Sequence, residues 1–210
     1  MKSCERGRSM IEMLGALAIV GILSVGGIAG YSKAMQKIKR DKVVTQLSML
    51  VMNIRSGFLN QTDYSGLSNK LLIEAGMAPS DMFDAKEPAS QAEFKHALGG
   101  NVSVFQSLNA EGKKRAFEVY LEGLTSDECV VLVTTDWGMD NASGFQALYV
   151  GAGEVEEALM EDVNIPAVSR PENGIYTPGQ HNDAVPLTIS GGMGACACSA
   201  ATCVVGFKYH

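Results

Sequence analysis

The stretch Gly7-Arg-Ser-Met-Ile-Glu12-Met-Leu-Gly-Ala-Leu-Ala-Ile-Val-Gly-Ile-Leu23, continued by Ser-Val-Gly-Gly-Ile-Ala-Gly30, decides the fold. Glu12 is its only charge from Met10 to Gly30, and an apolar run of about 20 residues is what a helix needs to cross a bilayer. A charge inside such a run costs roughly 2.5 to 3.5 kcal/mol on insertion scales, so Glu12 calls for a partner. The competing explanation is positional: Glu12 lies near the cytoplasmic end of the run, where a carboxylate reaches headgroups cheaply. Lys2, Arg6 and Arg8 form the basic flank expected there. The flank beyond the run is more basic still, with Lys33, Lys37, Lys39, Arg40 and Lys42. Orientation is therefore read from the size of the domain to be exported and from the cysteines, not from charge alone. The run also has the form of a secretory signal-peptide core, with Gly27 and Ala29 as small residues of a cleavage site. On that alternative the chain is a secreted soluble binding protein released near Ala29.

Beyond the apolar run the helical period continues. Leu47, Leu50, Ile54 and Phe58 recur at spacings of three and four, which makes one apolar stripe, and no proline precedes Pro79. A single helix from Ser9 to Leu59 is predicted, about 75 Å long at 1.5 Å per residue. Its expected weak point is Gly26-Gly27, because each interior glycine costs about 1 kcal/mol relative to alanine. Residues 60–100 read as a long structured loop with one short helix over Ser68 to Ala75. Strands are expected at Asn101 to Phe105, Phe117 to Leu121, Phe145 to Val150, Leu187 to Ser190 and Cys203 to Tyr209. Thr125-Ser-Asp-Glu128 is a capping box, which places Cys129 in the first turns of a helix running to Val133. Glu154 to Asp162 is a further helical candidate. These elements describe an α+β protein in which a long N-terminal helix, half transmembrane and half amphipathic, packs on a C-terminal antiparallel sheet.

With 210 residues, 46% hydrophobic and 19% charged, the chain suits a membrane helix plus one modest globular domain. The net charge of −6 and the lack of a basic cluster interleaved with aromatics argue against nucleic acid as a direct partner. Of the five cysteines, Cys4 precedes the apolar run, and Cys129, Cys196, Cys198 and Cys203 follow it. An even number beyond an export-like segment favours disulfides. A bridge between Cys196 and Cys198 would strain the one intervening residue, so two pairings remain open. Either Cys129 joins Cys196 while Cys198 joins Cys203, or Cys129 joins Cys198 while Cys196 joins Cys203.

The segment from Gly7 to Leu23 resembles the prepilin signal of type IV pilins and of the pseudopilins of type II secretion. The resemblance implies cleavage after Gly7 by a prepilin peptidase, methylation of the new amino terminus at Arg8, and a glutamate, Glu12, at the fifth mature position. Arg8 stands where the family usually has phenylalanine or methionine. The stretch Tyr64 to Met82, the segment Gly123-Leu-Thr-Ser-Asp-Glu-Cys129 and the C-terminal cysteine ahead of a final strand are similar to the type IVb branch, which includes the toxin-coregulated pilin and the thin pili of conjugative systems. The implied layout is a leader over residues 1–7, an assembly helix over 8–59 and an extracytoplasmic head over 60–210, with a disulfide-bounded region from about 129 to 203. The implied function is that of a pilus subunit rather than an enzyme, with no cofactor. Its partners would be other copies of itself, the prepilin peptidase, the assembly machinery and the inner membrane, and it would end in an extracellular filament or a periplasmic pseudopilus. A minor pilin or a type II secretion pseudopilin is the neighbouring alternative.

Other chemistry has less support. Cys196, Cys198, Cys203 and His210 are suitable zinc ligands, but their spacing fits no familiar module. Asp136, Asp140 and Asn141 around Gly138 hint at an oxygen-rich calcium loop, with a solvated turn as the simpler reading. His96, His181 and His210 show no triad spacing.

Overall fold

The computed structural model describes residues 10–109, 111–138, 143–153, 155, 174–178 and 184–210. The chain divides into two compact units, Met1–Lys39 and Arg40–His210. Helix α1 spans Met10–Phe58 and runs unbroken through Gly26-Gly27, where a bend or melted turn was the expectation. The cost of those glycines is spread over a helix of 49 residues with no proline, so hydrogen bonding along the helix continues through them.

The two parts of α1 have different surroundings because their sequences differ. In the first unit, the apolar side chains from Met10 to Tyr31 are exposed. In the second, Val43, Gln46, Leu47, Leu50, Val51 and Ile54 are buried, at the three- and four-residue spacing that aligns side chains on one helix face. Gln46 is the polar member of this face and is bonded at both ends of its amide: Nε2 donates to Asp81 at 3.1 Å, and Oε1 accepts from the Ala97 amide at 2.9 Å. The loop after α1 is thereby fastened to the helix by backbone as well as side-chain groups. Within that loop, helix α2 covers Asn69–Glu74 and is capped by Ser68.

Among the described residues, five strands form one antiparallel sheet: β1 (Val102–Ser107), β2 (Ala116–Leu124), β3 (Phe145–Ala152), β4 (Ile175–Tyr176) and β5 (Cys203–Tyr209). Their spatial order is β1-β2-β5-β3-β4, so the last strand in sequence lies at the centre. The register explains the core. Phe117 opposes Tyr209, Val119 opposes Phe207 and Leu121 opposes Val205, which puts one continuous apolar face on β2 and β5. That face shares a core with Leu47, Leu50 and Ile54 of α1. The opposite face pairs Glu118 with Lys208 and Tyr120 with Gly206. It too is buried, so the polar positions of the β2 alternation are not a solvated side.

Helix α3 (Ser126–Val133) begins at the expected capping box, with Thr125 and Glu128 exchanging hydrogen bonds. A correction concerns Leu187 to Ser190, expected as strand. Thr188 is instead an N-cap, its side chain accepting from the Gly191 amide, and helix α4 spans Ile189–Ala195. Gly192 explains the placement: a Cβ there would lie 3.1 Å from Val133 and 3.2 Å from Thr134, so α4 approaches α3 more closely than a larger residue would allow. The short β4 was not anticipated, and the candidate helix Glu154 to Asp162 lies outside the described residues.

Candidate assembly interface

The features singled out from the sequence fall into two groups, at the start of α1 and around α3 and α4. Gly7 and Arg8 lie outside the described residues, as do Asp140, Asn141 and His181. Glu12 is in the first turn of α1, where a carboxylate is favoured by the helix dipole. It sits among Met10, Ile11, Met13, Leu14 and Leu17, all exposed. Around it the helix is long and apolar enough to span a membrane, and none of the most apolar 18-residue window is buried within the protein. Such a surface is unstable in water; it requires lipid or other apolar helices.

The cysteines lie at the second group. Cys129 on α3 is bonded to Cys196, the C-cap of α4, and Cys198 is bonded to Cys203 at the start of β5. The sulfurs of Cys129, Cys198 and Cys203 lie within 4.8 Å of one another, so the two bridges are stacked side by side. His210 follows β5 at the end opposite Cys203, so it stands apart from the cysteines with which it was weighed as a zinc ligand. Asp136 has a local role, its Oδ1 accepting from the Gly138 amide at 2.9 Å. Trp137 is buried and donates from its indole to the Leu132 carbonyl at 2.8 Å, packing edge-on against Phe207. It serves the core rather than a ligand.

Charged groups of the second unit act structurally. Lys42 pairs with Asp81 at 2.9 Å, and this hydrogen bond is the main reason the Asp81 carboxyl is held below its usual range. Burial pushes the Lys208 ammonium below the usual lysine range, and the neighbouring Glu118 carboxylate opposes that shift. Tyr120, which donates to Glu118 at 2.7 Å, is pushed well above the ordinary tyrosine value, first by burial and then by that carboxylate. Sequence reading missed this cluster, since only register brings Glu118 and Lys208 together. His96 was dismissed as a catalytic group; it is buried, and its Nε2 lies 2.8 Å from the Glu122 carbonyl.

A long N-terminal helix with an exposed apolar beginning, joined to an antiparallel sheet whose centre is the last strand, is the architecture of a type IV pilin. The chain belongs to the Bundlin family, whose model matches residues 33–208. Among curated relatives it is similar to the major structural subunit of bundle-forming pilus of Escherichia coli O127:H6. That match is 26% identical over 146 residues, or 69% of this chain and 71% of the relative. It is also similar to the toxin coregulated pilin of Vibrio cholerae, 25% identical over 138 residues, covering 64% of this chain and 59% of that one. Among solved structures, TcpA, a type IV pilin from Vibrio cholerae El Tor biotype, shares the fold. The TM-score is 0.53 at 16% identity, with 82% of this chain and 99% of that chain covered. By their names these relatives are pilins and pilus subunits, structural proteins rather than enzymes.

Proposed function

We propose that this chain is a prepilin of the type IVb kind, held in the inner membrane by α1 and then polymerised through that helix into an extracellular filament. The observation that carries this reading is the wholly exposed apolar span at the start of α1, on a member of the Bundlin family. In a filament core, neighbouring α1 helices replace lipid, so leaving the membrane sacrifices little apolar burial. Register then needs a directional contact. Cleavage after Gly7 would create an amino terminus near Glu12, and the Glu12 carboxylate of one copy would be neutralised by the amino terminus of the next. An unpaired carboxylate in a dry core is expensive, which selects one axial stagger.

The layout that follows is a leader over residues 1–7, an assembly helix over 8–59 and a head over 60–210. A prepilin peptidase and an assembly machine are the implied partners. Two measurements test the reading. Mass spectrometry of the mature protein should find a chain that begins at Arg8, whereas a start at Gly30 would mean a secreted protein without its assembly helix. The Glu12→Ala variant should be processed and membrane-inserted yet poorly incorporated; normal filament yield would remove the register role.

A further inference from the structure

An open filament needs two unlike surfaces on every copy, because a head-to-tail contact between different patches propagates instead of closing. Between Arg40 and His210, the large apolar side chains left exposed among the described residues are Met49 and Met52 on α1 with Leu59 just past its end, and Ile189 and Met193 on α4. They form two groups on two different elements.

The α4 group stands out in charge as well as exposure. Ile189 is 72% exposed and Met193 64%, in a chain that carries no charged residue from Ala184 to Phe207. Depletion of charge is a mark of the buried centre of protein interfaces rather than of ordinary solvated surface. Ile189 and Met193 are four residues apart, so they stand side by side on one face of α4. Gly191 and Gly194 are exposed between and beside them, and a Cβ at Gly194 would meet nothing within 4 Å, so another backbone can come close. The Cys129–Cys196 bridge and the close seating of Gly192 against Val133 hold α4 in place, which limits the ordering cost of docking.

Met52 and Leu59 border a groove. Val51, Met52 and Leu59 line one side and Trp137 and Tyr209 the other of an open volume of about 600 Å³, whose wall also carries Arg55 and Asp136. Its apolar lining and size suit two aliphatic side chains on a small-residue helix. We propose that α4 of one copy seats Ile189 and Met193 in this groove on the next copy, forming a head-to-tail contact between unlike surfaces that repeats along the filament. The proposal rests on the filament reading above.

The test uses the full chain in cells that assemble it. With the photoreactive substitution Met193→p-benzoylphenylalanine, illumination should give a cross-linked dimer whose peptides map to residues 44–59 or to the segment around Trp137. Met193→Glu and Met52→Glu should each lower filament yield by roughly tenfold or more, with the membrane-inserted pool and both disulfides retained. Met193→Lys combined with Met52→Glu should restore yield. Cross-links that map elsewhere, filaments at normal yield from Met193→Glu, or a charge-swapped pair no better than the single variants would each overturn the contact while leaving the filament reading intact. Absence of filaments from the unaltered chain would instead defeat the filament reading, and this contact with it.

Discussion

Glu118 on β2 and Lys208 on β5 face each other across the sheet at 3.3 Å, each side chain only 3% exposed. The carboxylate is further bound by Ser107 at 2.5 Å and Tyr120 at 2.7 Å, so both of its oxygens are engaged. Burying two charges costs several kcal/mol, which their attraction offsets only when the remaining hydrogen bonds are made.

The first prediction follows from that balance. Lys208→Met leaves a buried carboxylate without its ammonium and should destabilise the head by about 3 to 5 kcal/mol. Lys208→Met together with Glu118→Gln removes both charges; the amide oxygen accepts from one of the Ser107 and Tyr120 hydroxyls and the amide nitrogen donates to the other, so most of the loss should be recovered. Urea unfolding of the two variants measures the difference. A double variant as unstable as the single would show that the pair's charge is not what is being compensated.

The two disulfides should contribute unequally. Cys129 and Cys196 are 67 residues apart, whereas Cys198 and Cys203 are separated by 5. In the chain-entropy model the long loop is worth about 4 kcal/mol and the short one about 2 kcal/mol. Replacing Cys129 and Cys196 by serine should therefore lower the midpoint of unfolding about twice as far as replacing Cys198 and Cys203. Removal of the long bridge also frees α4 from α3, so hydrogen exchange should rise over Ile189–Ala195 in that variant alone.

His96 should make the head sensitive to mild acid. The neutral ring with its proton on Nε2 satisfies both neighbours, donating to the Glu122 carbonyl at 2.8 Å and accepting at Nδ1 from the Leu98 amide at 3.3 Å. A second proton on Nδ1 would face that amide proton. Burial holds the folded-state value below the ordinary 6.5, against smaller opposing effects of the Glu122 carbonyl and the Glu128 carboxylate. Because the folded form binds fewer protons than the unfolded chain, stability is lost as pH falls below 6.5, down to the depressed folded value. Comparing urea midpoints at about pH 7.5 and about pH 5.5 should reveal this slope. The His96→Gln variant, which keeps a donor for the Glu122 carbonyl, should flatten it; an unchanged slope would assign the acid sensitivity to other groups.

Much of the architecture was legible because it is written in local pattern. The apolar run from Met10 to Gly30, the stripe of Leu47, Leu50 and Ile54, the capping box at Thr125 and the alternation along Cys203 to Tyr209 each specify an element from neighbouring residues alone. The strand expected over Leu187 to Ser190 failed for a comparable reason. Short apolar segments do not declare their period, and the hydroxyl of Thr188 and the contact of Gly192 with Val133 decide it in favour of a helix.

Local pattern sets an apolar span carrying Glu12, leading into an amphipathic helix and then into a cysteine-bearing sheet domain. That Cys129 meets Cys196, that β5 enters between β2 and β3, and that Lys208 finds Glu118 are outcomes of packing. Helix period, caps and hydropathy are set by residues a few positions apart. Pairings between distant residues depend on strand order and register, which emerge only when the whole core is packed at once.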